Sequence, residues 1–277
     1  MIKYVRFWSY CFFQHSVPLD SPSEDASHFF SRIVGGEDAP KAFAPHMAAL
    51  VISDIIKMFT CGGSIISNRH VLTAAHCIDM FVVAGELLPT FHVIVGTNDW
   101  YHKGIEARVA EFHIHPQWDP QPIKYDIGIL ALKEELEMSK RVGVIALNFN
   151  WVGGGEDSYV TGWGRLDTWG IVPYKLQLLF VRTLSQEQCM KLLLEVPGAE
   201  TFPPILQEEI EICAFHSVQH GLCFGDSGSA LVDKKSNQQT GITSWSPYPC
   251  ARGFPDVFVR ISAYKDYITA ILNKKID

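Results

Sequence analysis

The sequence contains no apolar run of the roughly 18 residues that a membrane-spanning helix needs. Positive charge is not in excess either, because 23 Lys and Arg residues stand against 30 Asp and Glu residues, for a formal net charge of -7. That balance favours neither a nucleic acid nor an anionic membrane as a partner. Internal repeats and low-complexity blocks are also missing, and 47% of the residues are hydrophobic, which is typical of a globular protein.

Paired cysteine spacing of the C-x-x-C kind is absent, which argues against a zinc site. The seven cysteines are scattered along the chain, a pattern that indicates disulfides in an oxidising compartment. Because seven is odd, one cysteine should lack a partner, and Cys11 is the candidate. No N-x-[ST] sequon occurs, so N-glycosylation is not expected.

The N-terminal segment makes a poor signal peptide. Lys3 and Arg6 accompany an apolar patch, but the patch is interrupted and no small-residue cleavage site stands out. Residues 16–31 are rich in Ser, Pro and acidic residues, which is typical of an exposed linker. Secretion is therefore inferred from the cysteines more than from this end of the chain.

After Arg32 the sequence consists mainly of short β-type runs with turn residues between them, which predicts a sandwich or a barrel. Helical periodicity is clear at residues 264–272, where apolar residues share one face and Ser262 is expected to cap. The stretch QEQCMKLLLEV predicts a second short helix. The predicted strands are MAALVIS, GGSII, FHVIVG, DIGILAL, SYVTGWG, KLQLLFVR, SALV, QTGITSW and DVFVRI.

Three short motifs carry residue types that catalysis uses: His76 in LTAAHC, Asp126 in YDIGIL and Ser227 in GDSGS. Each has a structural explanation when taken alone, since a His beside a Cys, an Asp before a strand and a glycine-rich loop are all common. Together they supply a base, an orienting acid and a nucleophile, in one of the chain orders known for catalytic triads.

With these motifs the sequence resembles the trypsin/chymotrypsin-type serine proteases between residue 33 and about residue 273. The resemblance implies an all-β fold of two packed six-stranded antiparallel β-barrels with a C-terminal α-helix and the active site between the barrels. It further implies a peptidase domain at 33–273, a leader and activation peptide at 1–32, and no cofactor or metal. The motifs that carry it are IVGG, CGGSII, LTAAHC, DIGIL, TGWG, GDSGS and SW.

Catalytic roles follow from the resemblance, motif by motif. Ser227 would attack the scissile carbonyl, and His76 would take its proton and later give it to the leaving amine. Asp126 would fix the His76 tautomer, and Ser244 would support Asp126. The backbone N–H groups of Gly225 and Ser227 would form the oxyanion hole.

Activation by cleavage is also implied. An activating protease would cut between Arg32 and Ile33, and the new α-amine of Ile33 would pair with the Asp226 carboxylate. The uncut chain is then expected to be nearly inactive, because a buried carboxylate without a partner is costly. The alternative is that Arg32 and Ile33 belong to an ordinary loop.

Three disulfides are implied, with Cys11 left over or lost with the leader. The spacing of the second pair is wider than the family's usual one, which indicates an insertion around residues 196–209. The implied pairs are Cys61–Cys77, Cys189–Cys213 and Cys223–Cys250.

The primary specificity pocket departs from both family patterns. Gly221 stands at its base, where trypsins carry Asp and chymotrypsins usually Ser, and Asp256 supplies a carboxylate on the opposite wall. This combination favours chymotrypsin-like or broad cleavage over strictly trypsin-like cleavage, while an outward-pointing Asp256 remains the alternative. The substrate-binding residues implied by the resemblance are Gly221, Phe224, Ser244, Trp245, Ser246 and Asp256.

Other interpretations stay open. His113 and His115 share one face of a predicted strand and suggest a metal site, but no third ligand is evident. A non-catalytic protease homologue acting as a binding module would lack part of the triad, which is intact here.

We expect a secreted, extracellular monomer whose partners are protein or peptide substrates, the activating protease and protein inhibitors. Digestion, development, venom and a defence cascade all fit this sequence.

Overall fold

The computed structural model describes residues 33–53, 55–199 and 205–275. Cys11, Arg32 and the rest of the predicted leader lie outside the described residues, as do residues 200–204 of the predicted insertion. The strands, in chain order, are β1 (Glu37–Asp38), β2 (Met47–Ser53), β3 (Lys57–Ile65), β4 (His70–Thr73), β5 (Val82–Val83), β6 (Glu86–Leu87), β7 (Phe91–Val95), β8 (Ile105–Ile114), β9 (Asp119–Pro120), β10 (Ile123–Lys124), β11 (Gly128–Leu132), β12 (Asp157–Gly162), β13 (Gln177–Leu184), β14 (Glu211–Phe215), β15 (Ala230–Asp233), β16 (Gln238–Trp245) and β17 (Asp256–Arg260). The helices are α1 (His76–Asp79), α2 (Gln186–Leu193) and α3 (Lys265–Leu272).

Two antiparallel barrels form the molecule, as predicted. The first is closed in the order β11-β4-β3-β2-β7-β8. The second runs β13-β12-β15-β16-β17-β14 and closes by pairing β13 with β14, while β1 adds to the outside of β13. Closure leaves no open edge in either six-stranded ring, which accounts for a stable fold built from such short strands.

The barrels meet at a close approach of β3 and the turn before β15. A Cβ atom on Gly62 would collide with the Ser229 hydroxyl, so only glycine allows this contact. One cluster of buried apolar side chains continues across the junction, from Leu50 and Ile65 in the first barrel to Val232 and Ile242 in the second. The line between the barrels is therefore rigid, and it is here that the predicted catalytic motifs lie.

The helices lie where the periodicity predicted them. Ser185 caps α2 in a reciprocal capping box, accepting a hydrogen bond from the Gln188 N–H while the Gln188 side chain accepts one from the Ser185 N–H. The capping role predicted for Ser262 is wrong. A 3-10 helix at Ile261–Tyr264 continues directly into α3. Ser262 is therefore inside this 3-10 helix and not at a helix boundary.

The three predicted disulfides are present. They join β3 to α1, α2 to β14, and the turn before Ser227 to the loop after β16. Each pair therefore ties together segments that are distant in sequence but belong to one barrel or one wall of the site. The pairs are Cys61–Cys77, Cys189–Cys213 and Cys223–Cys250.

Among the described residues, no helix has both the length and the apolar character needed to cross a membrane.

Candidate active site

His76 and Asp126 are held together by two hydrogen bonds. The backbone N–H of His76, at the start of α1, donates to Oδ1 of Asp126 at 2.9 Å, and its ring Nδ1 lies 2.8 Å from Oδ2. The Ser244 hydroxyl donates to the same Oδ2 at 2.6 Å, which is the contact predicted for it. Asp126 is buried, so its carboxylate has a fixed orientation and its partners determine its electrostatics.

The environment of the imidazole moves its pKa upward. Burial favours the neutral ring and lowers the pKa of His76, but the Asp126 carboxylate and its hydrogen bond outweigh that effect. The net result is a pKa above the ordinary value of 6.5. The side chain keeps 23% of its surface exposed, so the ring is open to a ligand at the barrel junction.

Ser227 lies on a tight turn between two glycines with left-handed backbone conformations. Gly225 has φ +98° and Gly228 has φ +81°, values that L side chains rarely adopt. A Cβ atom on Gly228 would collide with the Thr73 hydroxyl and the Gly62 carbonyl oxygen. The glycines around Ser227 are thus required by the turn and by its contact with the first barrel.

The turn lies against the strand that carries the His76 disulfide. The Gly62 N–H donates to the Ser227 carbonyl oxygen at 2.8 Å, and Gly62 follows Cys61, whose partner Cys77 follows His76. Within the described residues, the N–H groups of Gly225 and Ser227 donate to no protein acceptor. The turn therefore presents a half-buried serine and two free donors at the barrel junction.

Asp226 is fully buried beneath this turn. Its Oδ1 accepts a hydrogen bond from the Gly164 N–H at 2.8 Å, and its Oδ2 accepts one from the Cys223 N–H at 3.0 Å. Burial dominates over these two bonds and raises the pKa of Asp226 to about 7. Ile33 is also fully buried, in the apolar cluster of the second barrel.

Asp256 and Gly221 face each other across the predicted pocket. Oδ2 of Asp256 lies 3.4 Å from the place where a Cβ atom on Gly221 would stand, so the carboxylate points inward. That oxygen accepts from the Leu222 N–H at 3.1 Å, and Oδ1 accepts from the Ser246 hydroxyl at 2.6 Å. Burial raises the pKa of Asp256 to about 6, against the lowering effect of the two hydrogen bonds.

An exposed aromatic rim, made of Phe224, Tyr248 and Trp169, flanks the turn. The Phe224 and Tyr248 rings are 6.3 Å apart, and the Tyr248 and Trp169 rings are 6.2 Å apart. Trp169 has 83% of its surface exposed, which is unusual for so large an apolar residue. Sequence reasoning found only Phe224, since nothing local links the other two to it.

Trp245 has partners that the sequence also did not reveal. Its indole N–H donates to Oε1 of Glu211 at 3.0 Å, and Lys124 Nζ lies 5.7 Å from the ring centroid. Lys124 and Glu211 are themselves an ion pair 87 positions apart in sequence. β14 and β16 belong to the second barrel, and β10 lies between strands β8 and β11 of the first, so only the folded chain brings these residues together.

The two histidines considered as metal ligands have separate neighbours. His113 Nε2 lies 3.6 Å from a Glu111 oxygen, whereas the His115 ring stacks on Tyr125 at 5.5 Å. Their environments therefore do not converge on one site.

One group of three potential ligand atoms occurs among the described residues, at Cys61, His76 and Cys77. The two cysteines are joined as a disulfide, so neither offers a thiolate to a metal.

Comparison with known proteins agrees with this geometry. Residues 33–268 match the Trypsin family, and the chain therefore belongs to the trypsin family of serine proteases. It is a serine endopeptidase, a hydrolase that acts on protein substrates, as the motifs predicted.

Chymotrypsin-2 of Vespa crabro is 31% identical over 237 residues, covering 85% of this chain and 98% of that protein. Chymotrypsin-C of Mus musculus is 31% identical, covering 86% of this chain and 88% of that protein. Among solved structures, neuropsin, a serine protease of mouse brain, matches with a TM-score of 0.72 and 26% identity over 86% of this chain and 99% of its own.

Proposed function

We propose that Ser227, His76 and Asp126 form a catalytic triad that hydrolyses peptide bonds through an acyl-enzyme. The observation that carries the proposal is the doubly hydrogen-bonded His76–Asp126 pair beside the Ser227 turn. A serine hydroxyl is a weak nucleophile, so a base must remove its proton as it attacks. A buried carboxylate bound at Nδ1 leaves Nε2 of His76 free to do this and stabilises the resulting imidazolium.

The same turn supplies the oxyanion hole. The N–H groups of Gly225 and Ser227 have no protein acceptor among the described residues, and they stabilise the negative oxygen of the tetrahedral intermediate. One such donor contributes about 3 kcal/mol to the transition state. Gly225 has φ +98°, a conformation that glycine adopts without strain and that lets the turn present both N–H groups.

The enzyme is made as a zymogen, with residues 1–32 removed by an activating protease that cuts after Arg32. Asp226 supports this step, because a fully buried carboxylate with a pKa raised to about 7 needs a cation that backbone amides do not supply. Ile33 has φ +24°, a strained value for a β-branched residue, and cleavage at its N-terminal side relieves that strain. The freed α-amine of Ile33 then pairs with Asp226.

Substrate preference is chymotrypsin-like or broad. Gly221 adds no side chain at the base of the pocket, where Asp256 and Ala251 already stand at contact distance, and the aromatic rim offers apolar contacts beside Ser227. The inward-facing Asp256 carboxylate favours a second possibility, in which Lys or Arg side chains are also accepted or are preferred.

Three disulfides suit a secreted, extracellular enzyme. The enzyme acts as a monomer and is open to protein inhibitors at the same cleft.

Covalent labelling tests the nucleophile directly. Protein cut after Arg32 should react with a fluorophosphonate, and mass spectrometry should place the label on Ser227. The variants Ser227→Ala and His76→Ala should remain unlabelled, with Ser229→Ala as a matched control that labels normally. Labelling of the Ser227→Ala variant at the wild-type rate, or none in correctly cut protein, would reject the triad and favour a non-catalytic homologue.

A further inference from the structure

Lys124 in β10 and Glu211 in β14 form a buried ion pair. Lys124 Nζ lies 2.8 Å from Oε1 and 2.9 Å from Oε2 of Glu211, and each side chain is only 5% exposed. Removing two charges from water offsets much of their attraction, so such a pair is a weak source of stability. The geometry around it indicates what else it does.

Glu211 and Lys124 both contact Trp245, and each also binds the chain just before β14. Oε1 of Glu211 accepts the Trp245 indole N–H at 3.0 Å, and the Lys124 ammonium lies 5.7 Å from the centre of the same ring. Lys124 also donates to the Ile205 carbonyl at 2.8 Å, and Oε2 of Glu211 accepts the Gln207 N–H at 2.8 Å. The indole is thus held at its N–H edge by the acid and faced by the cation.

Trp245 lies between the two halves of the proposed site. Its neighbour Ser244 donates to Asp126, and its neighbour Ser246 donates to Asp256. Residues 244–246 therefore connect the triad acid to the pocket carboxylate. Trp245 is half-buried, so part of this residue is open to a peptide bound there.

We propose that Lys124 and Glu211 are positioning residues that fix the Trp245 indole as a binding wall for the substrate residues N-terminal to the scissile bond. Lys124 is two positions before Asp126, so this clamp of Lys124 and Glu211 also lies next to the segment between β10 and β11 that carries the triad acid. The inference rests on the proposed function, since it assigns a subsite of the same cleft. It predicts an effect that depends on substrate length.

The experiment compares two charge-neutral double variants in protein cut after Arg32. Lys124→Met with Glu211→Leu removes the charges and the acceptor for the indole, whereas Lys124→Met with Glu211→Gln removes the charges but keeps an acceptor. The substrates are two anilides with the same residue before the leaving group, one carrying four residues and the other only one.

The first double variant should raise KM for the four-residue substrate about tenfold, the size expected for one hydrogen bond to a charged group. Both kcat and the single-residue substrate should stay within about twofold of wild type, because the triad is untouched. The Gln variant keeps an acceptor but loses both charges, so its KM for the four-residue substrate should lie between those of the wild type and the Leu variant. In a Trp245→Phe background, which has no indole N–H, the two double variants should become equal.

An unchanged KM for the long substrate in the Leu variant would overturn the proposal. So would an equal loss with both substrates, which would indicate general loosening of the fold. The ¹⁵N-indole NMR signal of Trp245, identified by its absence in Trp245→Phe, should shift in the Leu variant and much less in the Gln variant. That shift does not depend on turnover, so an inactive wild type would reject the proposed function while the spectra still decide the clamp.

Discussion

His76 and Asp126 are joined through both the backbone and the ring, at 2.9 Å and 2.8 Å, so the carboxylate orients the imidazole and the start of α1 at once. The buried acid has a third partner in Ser244. This arrangement fixes which ring nitrogen carries the proton. Two effects can therefore be tested by separate mutations: the tautomer of His76 by changing Asp126, and the position of Asp126 by changing Ser244.

Asp126→Asn should lower kcat by about 10⁴-fold, because the amide stabilises the wrong tautomer and not the imidazolium. Wild-type kcat/KM should rise with pH through a midpoint above 6.5, since the raised pKa of His76 must be passed before the ring is a base. Initial rates with a chromogenic peptide between pH 5 and 9 check both. Ser244→Ala, which leaves the acid in place, should cost far less, and a loss as large as that of Asp126→Asn would contradict this assignment.

Asp226 should make the uncut chain less stable as pH rises. The unfolded carboxyl has its ordinary pKa of 3.8 and the folded one about 7, so between these values the folded state holds a proton that the unfolded state has lost. Folding stability must then fall with rising pH across that interval, by up to about 1.4 kcal/mol per pH unit.

Urea unfolding of uncut protein at pH 4 to 8 measures this slope, with Asp226→Asn as the control. Asp256 contributes to the slope in both proteins, so the difference between them reports Asp226 together with its electrostatic coupling to Asp256. Cutting after Arg32 should reduce the Asp226 contribution, because the Ile33 amine supplies the cation. Identical slopes in the wild type and Asp226→Asn would contradict the buried, unpaired carboxylate.

Asp256→Asn should lower kcat/KM for peptides with a basic residue at the cleavage site much more than for peptides with an apolar one. The amide keeps an acceptor for Ser246 but removes the charge, so kcat/KM for Lys and Arg peptides should fall at least about tenfold. Phe and Leu peptides should change by less than about threefold. The matched variant Gly221→Ser adds atoms at an ordinary contact distance of 3.4 Å from Asp256 and Ala251, so it should instead lower the rate with large aromatic residues. Equal losses with all four residues would contradict an inward-facing carboxylate.

The Cys189–Cys213 disulfide should stabilise the enzyme without shaping its chemistry. It closes a loop of 24 residues, and replacing both cysteines by Ala should cost about 3 kcal/mol of unfolding free energy. Urea unfolding checks the loss, and kcat of the folded variant should stay near wild type because His76, Asp126 and Ser227 all lie outside the closed loop. An unchanged unfolding midpoint would show that α2 and β14 are held together by packing alone.

Local patterns predicted much of this molecule because catalysis and turns demand particular residue types over a few positions. His76, Asp126 and Ser227 lie in short motifs, and the family resemblance that these motifs support placed the two barrels and the three disulfides. The clamp of Lys124 and Glu211 around Trp245 left no such trace. Its members are distant in sequence, and Lys124 meets the β14 and β16 residues only when the segment between β8 and β11 packs against the second barrel.

The same reason explains smaller misses. Trp169 and Tyr248 join Phe224 in a rim only because their loops lie close together in the folded chain. Contacts between loops leave no periodic pattern in the sequence from which they could be predicted. The Ser262 cap was wrong because a serine before a helical pattern signals an N-cap only if the preceding chain is extended. Here a 3-10 turn already occupies that place.

The most direct test of the account is hydrolysis of matched peptide substrates ending in Phe, Leu, Lys or Arg by protein cut after Arg32. The wild type should cleave the Phe and Leu substrates, with Lys and Arg also accepted through Asp256, and uncut protein and Ser227→Ala should be nearly inactive. Cleavage of Lys and Arg substrates alone would reject the broad pocket and leave the triad standing. No cleavage of any substrate by correctly cut protein would contradict the central claim that Ser227 is a catalytic nucleophile.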